Sequence, residues 1–501
     1  MTILRSHHRF LAVFLFLVLG GCASMPTGAR NDFAPPMAQQ SLLRVTVTSQ
    51  SYIFHRPWQQ RRPITQTAIG VVVPGGMVLV NGLLVADHRY IELETLDTQL
   101  KQPARVVVVD YEANLALLAP LDPSFLNGHR PLEMADRVTV GDGLTVWQVK
   151  PGGDVVPSRG QVTSVDLGIY TQNNFFLIYR LDNSLPYRFN NVTLPVVRGD
   201  RLAGLVLRQQ PSGQAVEVIA APVIRHFLDD AVHGDYQGFP SAGFHYGSTL
   251  DPQLRRYIGL PEDVTGIYVQ KVIKGGPADL AGLQAGDVIS QMGDFKITNT
   301  GLFELAPHGK ISVVHLIRTL YHAGDIVPTR IQRNGQVVHL EIKLDHRGPE
   351  EYLVPPYRVD TVPEHLIVGG LVIQELSLPY LREYGNNWAT DAPIHLLYYH
   401  QNQDYLNGDR REKIVIISDV IATPFTIGYE NLSNLVIVRV NDQPIGNLED
   451  VRKALASPIE GFHKIELMQH PKQIFLDPVQ LSSIHRMITE RYRIPIPPLG
   501  P

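Results

Sequence analysis

The segment GGPADLAGLQAGDVISQMGD, Gly275 to Asp294, decides how this chain folds. Pro277 suits the first turn of a helix, where a missing N–H costs nothing. Gly282 suits the left-handed residue that ends one. Gly286-Asp287 makes a turn, and Val288 with Ile289 opens a strand. Working outward, KISVVHLIRTLYHAGD (Lys310 to Asp325) predicts a helix with Ile311, Val314, Ile317 and Leu320 on one face. TRIQRNGQVVHLEIKL (Thr329 to Leu344) predicts a hairpin closed by Asn334-Gly335.

Upstream, from Leu42 to about Leu228, short apolar runs such as AIGVVVPGGMVLVN, RVVVVDYEANLALLAP and LAGLVLR are separated by turns. Strands at this spacing predict a closed or sandwiched all-β unit. APVIRHFLDDAVH, Ala221 to His233, predicts a helix with Val223, Phe227, Leu228 and Val232 at helical spacing, and GDYQGFP, Gly234 to Pro240, reads as a linker. Downstream, LVIVRVNDQPIGNLEDVRKAL (Leu435 to Leu455) predicts a strand, a turn and a helix, with Asn447 as N-cap and Asp450 at N3. EHLIVGGLVIQELS and EKIVIISDVIATPFTIGYE read as strand pairs, with a long insertion between them. The last third thus repeats the pattern around Gly275 at the level of fold and not of sequence.

A chain of 501 residues predicts about three domains. Its net charge of −4 and lack of a long basic run give no electrostatic case for nucleic acid. Its 19 histidines are scattered, without metal-ligand spacing, and no cofactor loop is present, so neither metal nor cofactor is expected. At the N-terminus, Arg5 and Arg9 precede FLAVFLFLVL, Phe10 to Leu19, an apolar run too short to span a bilayer of ~30 Å. LGGC follows, ending at Cys22, the one cysteine of the chain. Small residues before a lone cysteine resemble a bacterial lipobox. That resemblance implies a signal peptide over 1–22, lipidation of Cys22, and an envelope protein facing the periplasm. Ala23, in place of Asp, favours the outer membrane. An ordinary secretory signal that happens to contain Cys is the alternative. Residues 23–40 read as a flexible tether.

The motifs around Gly275 resemble a PDZ domain of the bacterial type. A β unit at 41–233 followed by PDZ-like units at 241–346 and 347–501 resembles the Deg/HtrA family of trypsin-like serine proteases. The resemblance implies a mostly β chain, a chymotrypsin-like double β-barrel followed by two α+β PDZ-like domains, and a homo-oligomer, which in this family is often a trimer.

A protease of this kind needs a nucleophilic Ser, a His to take its proton and an Asp to orient the His. The motif around the family's His matches GMVLVNGLLV and puts Leu83 at that position. The motif around its Asp matches DYEANLALL and puts Asn114 there. The motif around its Ser matches NNVTLPVV and puts Val192 there. Leucine cannot act as a base, valine has no nucleophilic atom, and asparagine cannot stabilise a charged imidazole. Asn190, Thr193 and Leu194 stand where the family has glycines that aim backbone N–H groups at the reacting oxygen. A triad rebuilt from Ser184 or Thr193 with His88 and Asp110 is the catalytic alternative. The register of Pro195 puts Ser184 well ahead of the nucleophile turn.

What remains is binding. A PDZ domain adds an extended peptide to a sheet edge and holds its terminal carboxylate in a loop. In the first unit that loop matches Ser241, Ala242, Gly243, Phe244 and His245, and the following helix, near His315 and Arg318, forms the other wall. The implied partners are peptide C-termini or unfolded polypeptide, with the membrane reached through the lipid. An entry strand without a ligand is the alternative for this segment. For the whole chain the alternatives are an active serine endopeptidase and a purely structural oligomeric lipoprotein. In the second unit, assembly stands beside peptide capture, and the insertion is placed to cover its groove.

Overall fold

A computed structural model describes residues 40–171, 174–183, 185, 193–210, 213, 215–232, 234–406 and 411–496. Cys22, Ser184, Asn190 and Val192 lie outside them.

Two closed six-stranded barrels come first. One runs in the order Leu42–Ser49, Ile64–Val73, Met77–Val80, Leu115–Pro120, Lys101–Asp110 and His88–Thr95. The other runs Val155–Ile169, Phe175–Asp182, Val216–Ala220, Arg201–Gln209, Pro195–Arg198 and Gly143–Val149. Inward-facing Val, Leu and Ile fill both, and closure leaves no free edge. The predicted helix forms over Ala221–Val232. Its buried face is Val223, Ile224, His226 and Phe227; Val232, expected on that face, is 71% exposed because the helix ends there. The linker is pinned down. The Asp230 carboxylate accepts from the backbone N–H groups of Gln237 and Gly238, both at 2.9 Å, and Phe239 is buried.

The first PDZ-type sheet has the order Phe244–Ser248, Ile267–Val272, Val288–Met292, Ile326–Arg333, Gln336–Lys343. Pro277 opens the short helix Pro277–Leu280, and Gly282 (φ 82°) follows it in the left-handed region. Asn334 and Gly335 both take positive φ and close the predicted hairpin. One expectation is corrected here. Ile311 lies in a strand, Gly309–Ser312, paired with Leu302–Leu305. The helix begins at Val313 and widens to π geometry over Leu316–Leu320. Its buried residues are Val313, His315, Leu316, Ile317 and Thr319, because it packs against the barrels as well as its own sheet.

The second sheet has the order His365–Val368, Leu371–Glu375, Val415–Val420, Leu435–Val440, His463–Leu467, Gln473–Leu476. Asn447 caps the helix Leu448–Leu455 as predicted, accepting from Asp450 N at 2.9 Å. The insertion forms three helices, Leu378–Arg382, Trp388–Asp391 and Ile394–Leu406. The described residues contain no helix long and apolar enough to cross a membrane.

Candidate functional site

The turn after Met77–Val80 becomes a 3-10 helix, Gly82–Val85, with Leu83 half exposed on it. Gly82 allows this turn to press on the next. A Cβ there would stand 3.0 Å from the Asp110 carbonyl oxygen and from Leu115 N. Asn114 lies in the facing turn at φ 57°, a conformation that Asn tolerates better than most residues. Its Oδ1 accepts the backbone N–H of Leu83 at 2.9 Å. The structure thus brings together two of the three positions read from the sequence.

Neither side chain can do the chemistry that its position needs. Leu83 carries no proton acceptor, and Asn114 carries no charge. Thr193, next to the third position, is fully buried, and its hydroxyl accepts the Asn81 backbone N–H at 2.9 Å. Asn81 also donates through Nδ2 to the Val206 carbonyl, tying one barrel to the other. His88 and Asp110 of the alternative triad are committed elsewhere. His88 Nδ1 stands 2.9 Å from the Val85 carbonyl. Asp110 accepts from Ala113 N at 2.6 Å and from Tyr236 Oη at 2.7 Å. Burial, with the Glu112 carboxylate behind it, holds Asp110 above the usual carboxylate range. Among the described residues no group of three or more His, Cys, Asp or Glu side chains could hold a metal ion.

Local sequence carries no sign of what the turn Asp110–Asn114 does besides. Three consecutive residues bond to three different parts of the chain. Asp110 takes the linker's Tyr236, as above. Tyr111 donates its hydroxyl to Asp360 Oδ2 at 2.5 Å, on the approach to the second PDZ unit. Glu112, buried, pairs with Arg318 of the first PDZ unit, which also donates to Asn174 Oδ1 at 2.7 Å and lies 4.4 Å over the Phe176 ring.

That pairing corrects the expected peptide wall. Arg318 is turned into the barrels, not toward a ligand. His315 is 1% exposed, and burial lowers its pKa to about 4, so it sits neutral inside the interface. The loop residues are better placed. Gly243 has φ 73°, and a Cβ there would meet Pro277 Cδ at 3.1 Å, so glycine is strongly favoured. Its carbonyl accepts Ile273 N, and the Ala242 carbonyl accepts Ala278 N, bracing the loop against the short helix. Ser241 Oγ accepts Gly243 N at 3.2 Å. From here the strand Phe244–Ser248 is paired on one side only, with Ile267–Val272. A cleft of about 460 Å³ opens beside the loop, lined by Ser241, Gly243, Lys274, Pro277, Lys343 and Arg347 among others. Phe244 is half-buried against the core, while His245 is engaged by the insertion helix: Nε2 lies 2.9 Å from Asp404 Oδ2, and its ring stacks on Tyr405 at 5.9 Å.

Family models described as PDZ domain match residues 251–307 and 354–497. Protease Do-like 4, mitochondrial, of Arabidopsis thaliana is 24% identical over 485 residues, covering 96% of this chain and 89% of that protein. Protease Do-like 2, chloroplastic, from the same plant is 28% identical over 420 residues, covering 81% and 66%. The chain belongs to the Deg/HtrA family. Two closed barrels are followed by two PDZ units, as the resemblance implied. A solved structure of the HtrA-type protease AlgW with decapeptide aligns at 18% identity and a TM-score of 0.48, over 63% of this chain and 98% of that one.

Proposed function

We propose that this Deg/HtrA chain is a binding protein whose barrel cleft has lost peptide hydrolysis. It takes peptide ends or unfolded polypeptide on its first PDZ unit, and through Cys22 it is held by lipid in a bacterial envelope. The observation that carries the binding is the strand Phe244–Ser248, unpaired on its outer side and entered from a tight loop through Gly243. An extended segment laid there gains main-chain hydrogen bonds, and the half-buried Phe244 supplies an apolar contact. The loss of hydrolysis is supported by Leu83 and Asn114, which meet at 2.9 Å at the positions of base and acid and carry neither function.

The second reading, a serine endopeptidase, is favoured by the relatives, several of which are named proteases. One pair of measurements separates the two. The purified chain should leave casein intact and take no fluorophosphonate label, while binding peptides on an array in a manner lost in Phe244→Ala. Label that appears, and vanishes in Thr193→Ala or Ser184→Ala, would make the chain a protease. Array binding untouched by Phe244→Ala would remove the first PDZ unit from the account.

A further inference from the structure

Between the barrel strands Leu42–Ser49 and Ile64–Val73 the chain makes a small hairpin, Tyr52–Ile53 paired with Arg56–Gln60. It leaves the barrel and is gripped by the second PDZ unit. Gln374 Nε2 donates to the Phe54 carbonyl at 3.0 Å, and the Phe54 N–H donates to Glu383 Oε1 at 3.1 Å. Both main-chain groups of one residue are therefore satisfied by side chains of another unit. The other Glu383 oxygen takes Arg61 at 2.6 Å. The His55 ring lies 4.6 Å from Tyr380 and 4.9 Å from Tyr384. Both tyrosines are fixed from behind, each donating its hydroxyl to Asn434 Oδ1 at 2.7 Å. Phe54 and Trp58 pack on two separate apolar clusters of the unit.

The ordinary PDZ edge of this unit is closed. Strand for strand, Leu371–Glu375 corresponds to Phe244–Ser248, and its outer side is already paired with His365–Val368. Gln374 sits on that doubly paired strand and directs its amide to the hairpin. The unit's recognition has moved from a strand edge to a seat of side chains.

We propose that the second PDZ unit is a receptor for the chain's own barrel hairpin, Tyr52–Gln60, through Gln374, Tyr380, Glu383 and Tyr384, and does not take peptide ends at its edge strand. The ligand class is a short turn carrying an aromatic-imidazole pair with arginine beside it. A receptor of this kind works in trans once its own ligand is disabled.

The test uses the full chain with His55→Ala and Trp58→Ala together, and separately Gln374→Ala on the receptor side. Hydrogen exchange should quicken by about tenfold or more at Tyr52–Gln60 and at Tyr380–Tyr384 in both variants, while the barrel strands stay protected. A labelled synthetic peptide of residues 50–62 should bind the hairpin variant and not the intact chain. Unchanged exchange in both variants, or peptide binding equally to variant and intact chain, overturns the proposal. If the hairpin variant unfolds, the Gln374→Ala exchange pattern decides alone. Cross-linking of a C-terminal peptide to Leu371–Glu375 would also overturn it. If no peptide end binds the first PDZ unit, the reading of that unit fails, but the hairpin arms still decide this one.

Discussion

The two PDZ units use the same sheet to opposite ends. Set side by side, Phe244–Ser248, Ile267–Val272 and Val288–Met292 correspond to Leu371–Glu375, Val415–Val420 and Leu435–Val440, and each third strand carries a short extra partner. The second sheet adds one strand, His365–Val368, turned back through Gly369-Gly370 at positive φ. That strand fills the place that stays open beside Phe244–Ser248 in the first unit. The difference teaches that a PDZ fold becomes a receptor or a clamp according to what covers one row of N–H and C=O groups.

The units also differ in how they are held, and the largest expected effect lies there. The first is anchored by the buried pair Glu112–Arg318. Arg318→Ala leaves the Glu112 carboxylate buried and alone, which costs about 3–5 kcal/mol. A lowered urea midpoint, largely restored by adding Glu112→Leu, is the expected result; a midpoint that does not move would show the pair to be idle.

Peptide binding comes next. Phe244→Ala should weaken a bound peptide about tenfold, or ~1.4 kcal/mol, beyond the modest loss of thermal stability that follows from unpacking its half-buried ring. Asn447→Ala in the second unit should leave that affinity unchanged and cost about 1 kcal/mol of stability, since it removes a helix cap and an exposed hydrogen bond to Glu412. An affinity that follows the cap would mean that the second unit shares the ligand.

The smallest effect is a pH dependence of the hairpin's docking on the second unit. Burial lowers the pKa of His55 below its ordinary 6.5, against the raising influence of Glu383 and Asp419 and alongside the lowering influence of Arg56. His365, beside Trp58, is lowered in the same way, between Arg452 and Glu364. A released hairpin regains the ordinary imidazole and takes up a proton first. Docking is therefore complete above about pH 6.5 and weakens as pH falls below it. Exchange at Tyr52–Gln60 should quicken between pH 7 and 5 relative to the barrel strands, and His55→Phe should flatten that change.

Much of this was legible in the sequence because local chemistry determines it. Pro277, Gly282, Asn334-Gly335 and Asn447 behave as their positions require, and the paired turns place Leu83 against Asn114. The missed features are non-local. Helical spacing of Lys310–Asp325 could not reveal that barrel packing on a second side would bury His315 and turn Arg318 inward. The run EHLIVGGLVIQELS announced two strands, but nothing in it said that the first would occupy a binding edge. FHRPW, Phe54 to Trp58, is an unremarked loop until its partners, more than three hundred residues away, are in place.

The turn Asp110–Asn114 has one more consequence. Because adjacent residues are fastened to the linker, to the approach to one PDZ unit and to the helix of the other, the three attachments share a single short piece of backbone. They form one pivot and not three hinges. Under a pulling force applied to either PDZ unit, strain arrives at the same few peptide bonds. The Asn114–Leu83 contact on that turn should register the tug, while the second unit keeps its separate seat on the hairpin Tyr52–Gln60.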